Sequence, residues 1–178
     1  MKFTPTALPG VWLIEPEIIG DERGFFCRTF CREEFAAHGI DFAAVQSNLS
    51  FNHQRGTMRG MHYQAAPHGE DKLVSCPSGA IFDVALDLRP GSPTLGRWCS
   101  AELNGDNHRA LFIPAGLAHG FQTLTDDTLV QYQMSSCYRP EDARGARWDD
   151  PAFAIAWPLP VSAISQRDRS FPLQAEVA

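Results

Sequence analysis

Ala80-Ile81-Phe82-Asp83-Val84-Ala85-Leu86-Asp87-Leu88 alternates with a period of two along its length, the spacing of a β-strand rather than a helix. Phe82, Val84, Leu86 and Leu88 share one face and are expected in the core. Asp83, Ala85 and Asp87 share the other, which in a closed sheet faces either solvent or a cavity; alternation alone leaves that open. Similar runs recur on both sides: Val11 to Glu15, Gly24 to Phe30, Val45 to Phe51, Thr57 to Gln64 and Lys72 to Cys76, then Trp98 to Leu103, Ala110 to Ile113, His119 to Leu124 and Thr128 to Tyr138. Pro9-Gly10, Arg89-Pro90-Gly91-Ser92-Pro93, Asn104-Gly105-Asp106-Asn107 and Pro114-Ala115-Gly116 punctuate them as turns. Many short strands at this spacing predict an all-β sandwich or closed barrel, with the jelly roll as one solution. One early helix is expected at Arg32 to His38, with Glu33 and Glu34 in its first turn, His38 as a cation at its C-terminus and Gly39 closing it. A second helix after Pro140 would be short.

No repeat, low-complexity segment or linker divides the 178 residues, so a single domain over residues 1–178 is expected, large enough for a substantial core. A net charge of -6 with no Lys/Arg run argues against nucleic acid as a partner, while leaving room for a local cationic pocket. No apolar run is long enough to span a bilayer, and Met1 to Pro9 lacks a signal-peptide core, so no membrane partner is expected. Five cysteines without zinc spacing fit reduced thiols and a cytoplasmic location.

The chemistry concentrates in Met58-Arg59-Gly60-Met61-His62-Tyr63-Gln64 and the following Lys72-Leu73-Val74. A histidine with cations and amides close by is what proton abstraction from an anionic substrate needs. Period two, however, places Arg59 and His62 on opposite faces. For both to reach one pocket the strand must break its alternation, and Gly60 is where a bulge costs least. His53, His68 and His108 lie in polar, turn-like surroundings and are expected at the surface.

Pro114-Ala115-Gly116-Leu117-Ala118-His119-Gly120-Phe121 resembles the second motif of the cupin superfamily, whose histidine is a metal ligand in many members. The first cupin motif carries H-x-H, and His62-Tyr63-Gln64 stands in its place here. Three good ligands cannot be assembled in the usual arrangement, so no metal and no other cofactor is expected.

Taken together, the chain resembles the dTDP-4-dehydrorhamnose 3,5-epimerase family nearly end to end. The carriers are Leu8-Pro9-Gly10-Val11, Asp21-Glu22-Arg23-Gly24-Phe25-Phe26, Val45-Gln46-Ser47-Asn48, Arg59 to Gln64, Lys72-Leu73-Val74 and Phe82 to Arg89. They continue through Ser92-Pro93-Thr94, Pro114 to Phe121, Trp148-Asp149-Asp150-Pro151, Ile155-Ala156-Trp157-Pro158 and Ser165-Gln166-Arg167-Asp168. The resemblance implies a cupin-type jelly roll, a homodimer, and metal-free epimerisation of a nucleoside-diphosphate 4-keto-6-deoxyhexose at carbons 3 and 5. By position, His62 matches the family's base, Asp168 the carboxylate behind it, Tyr132 the acid on the opposite face and Lys72 the cation near the keto oxygen. Arg23 and Arg59 match positions near the diphosphate and sugar, with Gln46 and Asn48 as amide donors. His119 matches a pocket histidine that binds no metal, with Asp83 or another buried acceptor to orient it. Phe26, Arg28 and Tyr138 complete the expected substrate-binding set.

Read without the family, several of these residues have plainer roles. Asp168 could be a turn or helix-start residue, Tyr132 a core residue with a satisfied hydroxyl, and Arg23 a solvated turn. Phe25, Phe26, Trp98, Trp148 and Trp157 read as core. The sequence also departs from the family pattern: Cys27-Arg28 stands where many members carry a glutamate near the nucleotide, and Cys137 replaces a common tyrosine. Those departures leave the nucleobase open, with CDP-, GDP- or UDP-linked sugars as alternatives. A 3-epimerase acting at one carbon, a metal-dependent cupin and a non-catalytic sugar-nucleotide binding module are the competing functions.

Overall fold

The computed structural model describes residues 1–174. Fourteen strands and two short helices follow one another as β1 (Lys2–Pro5), β2 (Trp12–Glu15), β3 (Ile18–Asp21), β4 (Gly24–Cys27), α1 (Arg32–Ala37), β5 (Gln46–Asn52), β6 (Thr57–Gln64) and β7 (Lys72–Ser78). The second half holds β8 (Ala80–Asp87), β9 (Trp98–Asn104), β10 (Ala110–Ile113), β11 (Leu117–Thr123), β12 (Thr128–Met134), β13 (Ala143–Gly145), β14 (Ala163–Ile164) and α2 (Gln166–Arg169). One sheet runs β1-β2-β10-β7-β12-β5; the other runs β13-β6-β11-β8-β9, with β14 added in parallel to β6. Sequence neighbours such as β7 and β8 lie in different sheets, which makes the architecture a jelly-roll sandwich.

The core between the sheets takes Val74, Cys76, Leu111, Ile113 and Val130 from the first sheet and Ile81, Ala85, Leu103, Leu117 and Phe121 from the second. Fully burying an aliphatic or aromatic side chain of this kind contributes about 1.5–3 kcal/mol. Cys76 belongs to this packing: burial pushes its thiol up to about 12, so it is inert.

The strand over residues 80–88 resolves the ambiguity of its second face. Ala85 packs in the central core, and Asp83 and Asp87 are wholly buried, so that face is interior. Val84 and Leu86 are buried as well, on the outer side, under Ala146 and Phe153, with Trp98 and Trp157 partly buried against them. The matching cover on the first sheet comes from α1 and the loop after it, where Phe35, Ile40 and Phe42 pack on Ile14, Leu73 and Phe112.

Some expectations shift. The run from Gly24 leaves strand geometry after Cys27, and the run from Thr128 ends at Met134. Phe25 and Phe26 are not core: they sit 56% and 64% exposed on the β3–β4 hairpin, which pairs with neither large sheet. His68 is not a free surface group either, because its Nδ1 lies 2.6 Å from Asp142 Oδ2. His108 packs against the Phe25 ring at 4.5 Å. His38 caps α1 through its Nδ1, which bonds Glu34 O at 2.8 Å, while its ring stacks on Phe3. No helix among the described residues is long and apolar enough to cross a membrane.

Asp87 ties the β8–β9 connection together. Its carboxylate accepts from Arg89 Nε and Nη2 at 3.0 and 2.7 Å, Ser92 Oγ at 2.7 Å and Thr94 Oγ1 at 2.6 Å. Burial by itself would raise this carboxyl; the Arg89 guanidinium and the two hydroxyls win, holding it far below the usual carboxylate range. A depressed folded-state value stabilises the protein above about pH 4, and that stability is lost as pH falls through the folded-state value. Asp87→Asn should therefore lower stability at neutral pH by about 3 kcal/mol and flatten its decline in acid. Thermal unfolding from pH 7 to pH 3 tests this; parallel curves for the two proteins would refute it.

Candidate active site

The sandwich opens at one end into a cavity of about 380 Å³ lined by both sheets. His62 and Arg59 enter it from β6 and His119 from β11, while Tyr132, Lys72, Gln46 and Asn48 enter from the opposite sheet. The break in alternation that Arg59 and His62 require is present. Across β11, His119 pairs with His62 and Phe121 with Arg59, so Gly120 alone faces both Gly60 and Met61. Gly60 has φ +133°, and a Cβ there would lie 2.5 Å from Gly120 Cα; only glycine permits this approach.

His62 Nε2 lies 2.7 Å from Asp168 Oδ1, an acceptor 106 residues further along the chain. With Nε2–H donated to the carboxylate, Nδ1 carries the lone pair. Asp168 is held in turn by the Gly60 N–H at 3.3 Å, and its own N–H donates to Ser165 Oγ, the N-cap of α2. Burial would raise the Asp168 carboxyl; the bond from His62 outweighs it, with help from Gly60 and Ser165, and keeps it below its ordinary value. Both readings of Asp168 are thus satisfied: it starts a helix, and it sits behind the imidazole. The C-terminal segment is locked down by β14 on β6 and by Phe171, whose ring fills the space over Gly145, where a Cβ would meet it at 2.2 Å.

Lys72 is buried, and its Nζ donates to His62 O at 2.9 Å and to Glu70 Oε1 at 3.0 Å. Desolvation pushes this ammonium down, and Glu70 opposes the shift. His119 Nε2 lies 2.7 Å from Asp83 Oδ1, the orienting contact expected from the sequence. Arg59 is aimed by Asn52, whose Oδ1 accepts from Arg59 Nε at 2.7 Å. Tyr138 reaches the rim on a loop fastened by Gln64, whose Nε2 donates to Cys137 O at 3.2 Å and whose Oε1 accepts from Arg139 N at 2.5 Å. The Tyr138 N–H also donates to Gln46 Oε1.

The cavity thus gathers His62, Lys72, His119, Tyr132, Arg59, Gln46, Asn48 and Tyr138, with Asp168 directly behind. It does not gather Arg23, Phe26 or Arg28. Arg23 forks onto Asp21 within the exposed hairpin, and Arg28 lies 3.5 Å from Glu34 at α1. Sequence reasoning passed over Glu70, Ser50, Asn52 and Arg167. Of these, Arg167 had a visible signal, a cation directly before Asp168; Glu70 read as part of a polar turn. Among the described residues no three His, Cys, Asp or Glu side chains are grouped to hold a metal ion.

The family model described as dTDP-4-dehydrorhamnose 3,5-epimerase matches residues 5–176. A protein of that name from Sinorhizobium fredii is 44% identical over 178 residues, covering 99% of this chain and 91% of its own. A dTDP-4-dehydrorhamnose 3-epimerase from Streptomyces niveus is 39% identical over 99% of this chain and 85% of its own. The crystal structure of a Legionella pneumophila dTDP-6-deoxy-D-glucose-3,5-epimerase in complex with dTDP-4-keto-L-rhamnose superposes with a TM-score of 0.93 at 39% identity. That superposition covers 99% of this chain and 94% of the other.

Proposed function

This chain belongs to the dTDP-4-dehydrorhamnose 3,5-epimerase family and is an epimerase, and on that footing we propose that it inverts carbons 3 and 5 of dTDP-4-keto-6-deoxyglucose. The observation that carries the reading is the placement of a histidine–carboxylate pair and a tyrosine on opposite sheets facing one cavity. Inversion removes a proton from one face of a sugar ring and returns one to the other, so it needs groups on both sides. His62 is the base, drawing the acidic proton next to the ketone onto Nδ1, and Asp168 stabilises the imidazolium that forms. Lys72 supports the enolate oxygen, and electrostatic help there is usually the largest single contribution. Tyr132 returns the proton at carbon 5 from the first sheet. Arg59 takes the diphosphate, whose oxygens its planar fork matches; Gln46, Asn48, His119 and Tyr138 frame the sugar and nucleotide.

Arg23, Phe26 and Arg28 join this set only through a second copy of the chain. The hairpin that carries Arg23 and Phe26 leaves Ile18, Ile19, Phe25 and Phe26 exposed, and the outer face of β5 leaves Val45, Leu49 and Phe51 exposed. Large apolar side chains left exposed on an uncovered hairpin and on an edge strand fit a protein interface, and we assign them to a homodimer. A sedimentation mass equal to the 19.7 kDa of one chain would rule that out.

NMR of the substrate in heavy water, with enzyme and no added metal, tests the reaction. Loss of proton signal at both carbons is the expected result. Loss at carbon 3 alone would make it a 3-epimerase like the Streptomyces niveus relative. Exchange only in CDP-, GDP- or UDP-linked analogues would move the nucleobase, and none in any of them would end the epimerase mechanism.

A further inference from the structure

The buried carboxylate of Glu70 has no part in the reaction as drawn above. It lies just before β7, 5% exposed; Oε1 accepts from Lys72 Nζ, while Oε2 is buried without a hydrogen-bond partner among the described residues. An ammonium has three N–H donors. On Lys72 one goes to Glu70 and one to His62 O, and the third is left for the cavity that the side chain lines.

We propose that Glu70 is a positioning residue that keeps Lys72 an ammonium and aims its third N–H at the substrate's ketone oxygen, a role that rests on the epimerase reading of this cavity. Stability does not explain Glu70. A buried ion pair gains little over well-packed neutral groups, and a carboxylate oxygen without a donor is a net cost. Its effect falls on the lysine. Burial favours the neutral amine, which could not stabilise an enolate, and a carboxylate in contact opposes that shift. The other groups facing Lys72 do not replace it. Asp83 on β8 also favours the charged form, but less than Glu70 does, while His62 on β6 presents its carbonyl and Tyr132 on β12 is a phenol.

The sequence makes the test unusually clean, because Lys2 and Lys72 are its only lysines. Labelling lysine with ¹³C at Cε gives two signals, and Lys2, 73% exposed, serves as the internal reference. In Glu70→Gln the titration midpoint of Lys72 should fall by at least about one pH unit, a tenfold loss of proton affinity. The descending high-pH limb of kcat should fall with it, while KM on the acid side of that limb holds. An unchanged Lys72 midpoint in the folded variant would overturn the proposal. So would a shifted midpoint with an unmoved kcat limb. If the glutamine variant does not fold, Glu70→Asp carries the same comparison, with a smaller shift in the same direction. Should the wild-type protein lack epimerase activity, the lysine titration still reads out the pairing, so the two failures are separable.

Discussion

Replacing His62 by alanine is expected to abolish hydrogen exchange at carbon 3 and carbon 5 together, by at least about 10³-fold at each. Two imidazoles line the cavity, each on a buried carboxylate, and His62 is the open one, its side chain 41% exposed. His119 is committed to Asp83 and lies 8% exposed. Loss at both carbons follows if one base serves twice, the ring moving by one position between steps. The alanine variant strands Asp168 as a buried carboxylate without its main donor, so lost activity could reflect a displaced C-terminal segment. His62→Asn, whose amide can still donate to Asp168, is the control: it should fold like wild type and remain inactive. Exchange that persists at one carbon would mean a second base, and wild-type-like exchange at both would remove His62 from the chemistry.

Tyr132→Phe is expected to split the two carbons. The substitution removes one oxygen and leaves the ring packed against the core. Exchange at carbon 3, driven by His62, should stay within about tenfold of wild type, while net inversion at carbon 5 should fall by about 10² or more. The readout is product stereochemistry by NMR set beside deuterium incorporation. Equal loss at both carbons would show that Tyr132 supports the whole site and not one proton return.

The strands were legible because alternation is a local property; their number and spacing pointed to a sandwich or barrel, and the jelly roll came from the family resemblance. What alternation could not say was which face of residues 80–88 looked inward. The cover over the outer face comes from Ala146, Phe153 and Trp157, far along the chain, so both faces are buried and the period loses its meaning. The break at Gly60 was legible as a demand, since Arg59 and His62 could share a pocket in no other way. Glu70 was not, because the acids of Pro67-His68-Gly69-Glu70-Asp71 look like any solvated turn until Lys72 is found buried beside one of them. Phe25 and Phe26 misled for the opposite reason: aromatic residues in a strand read as core, and these lie on a hairpin that the chain's own sheets do not cover.

The span between His62 and Asp168 has a consequence for how the protein comes to be active. A ribosome delivers β6 early and the carboxylate 106 residues later. Throughout that interval the imidazole stands without its partner and without the segment that walls its back. β14 touches β6 through only two paired residues, so the sheets owe little of their pairing to that segment. The histidine–carboxylate pair, by contrast, is complete only once the segment carrying Asp168 has come back onto β6.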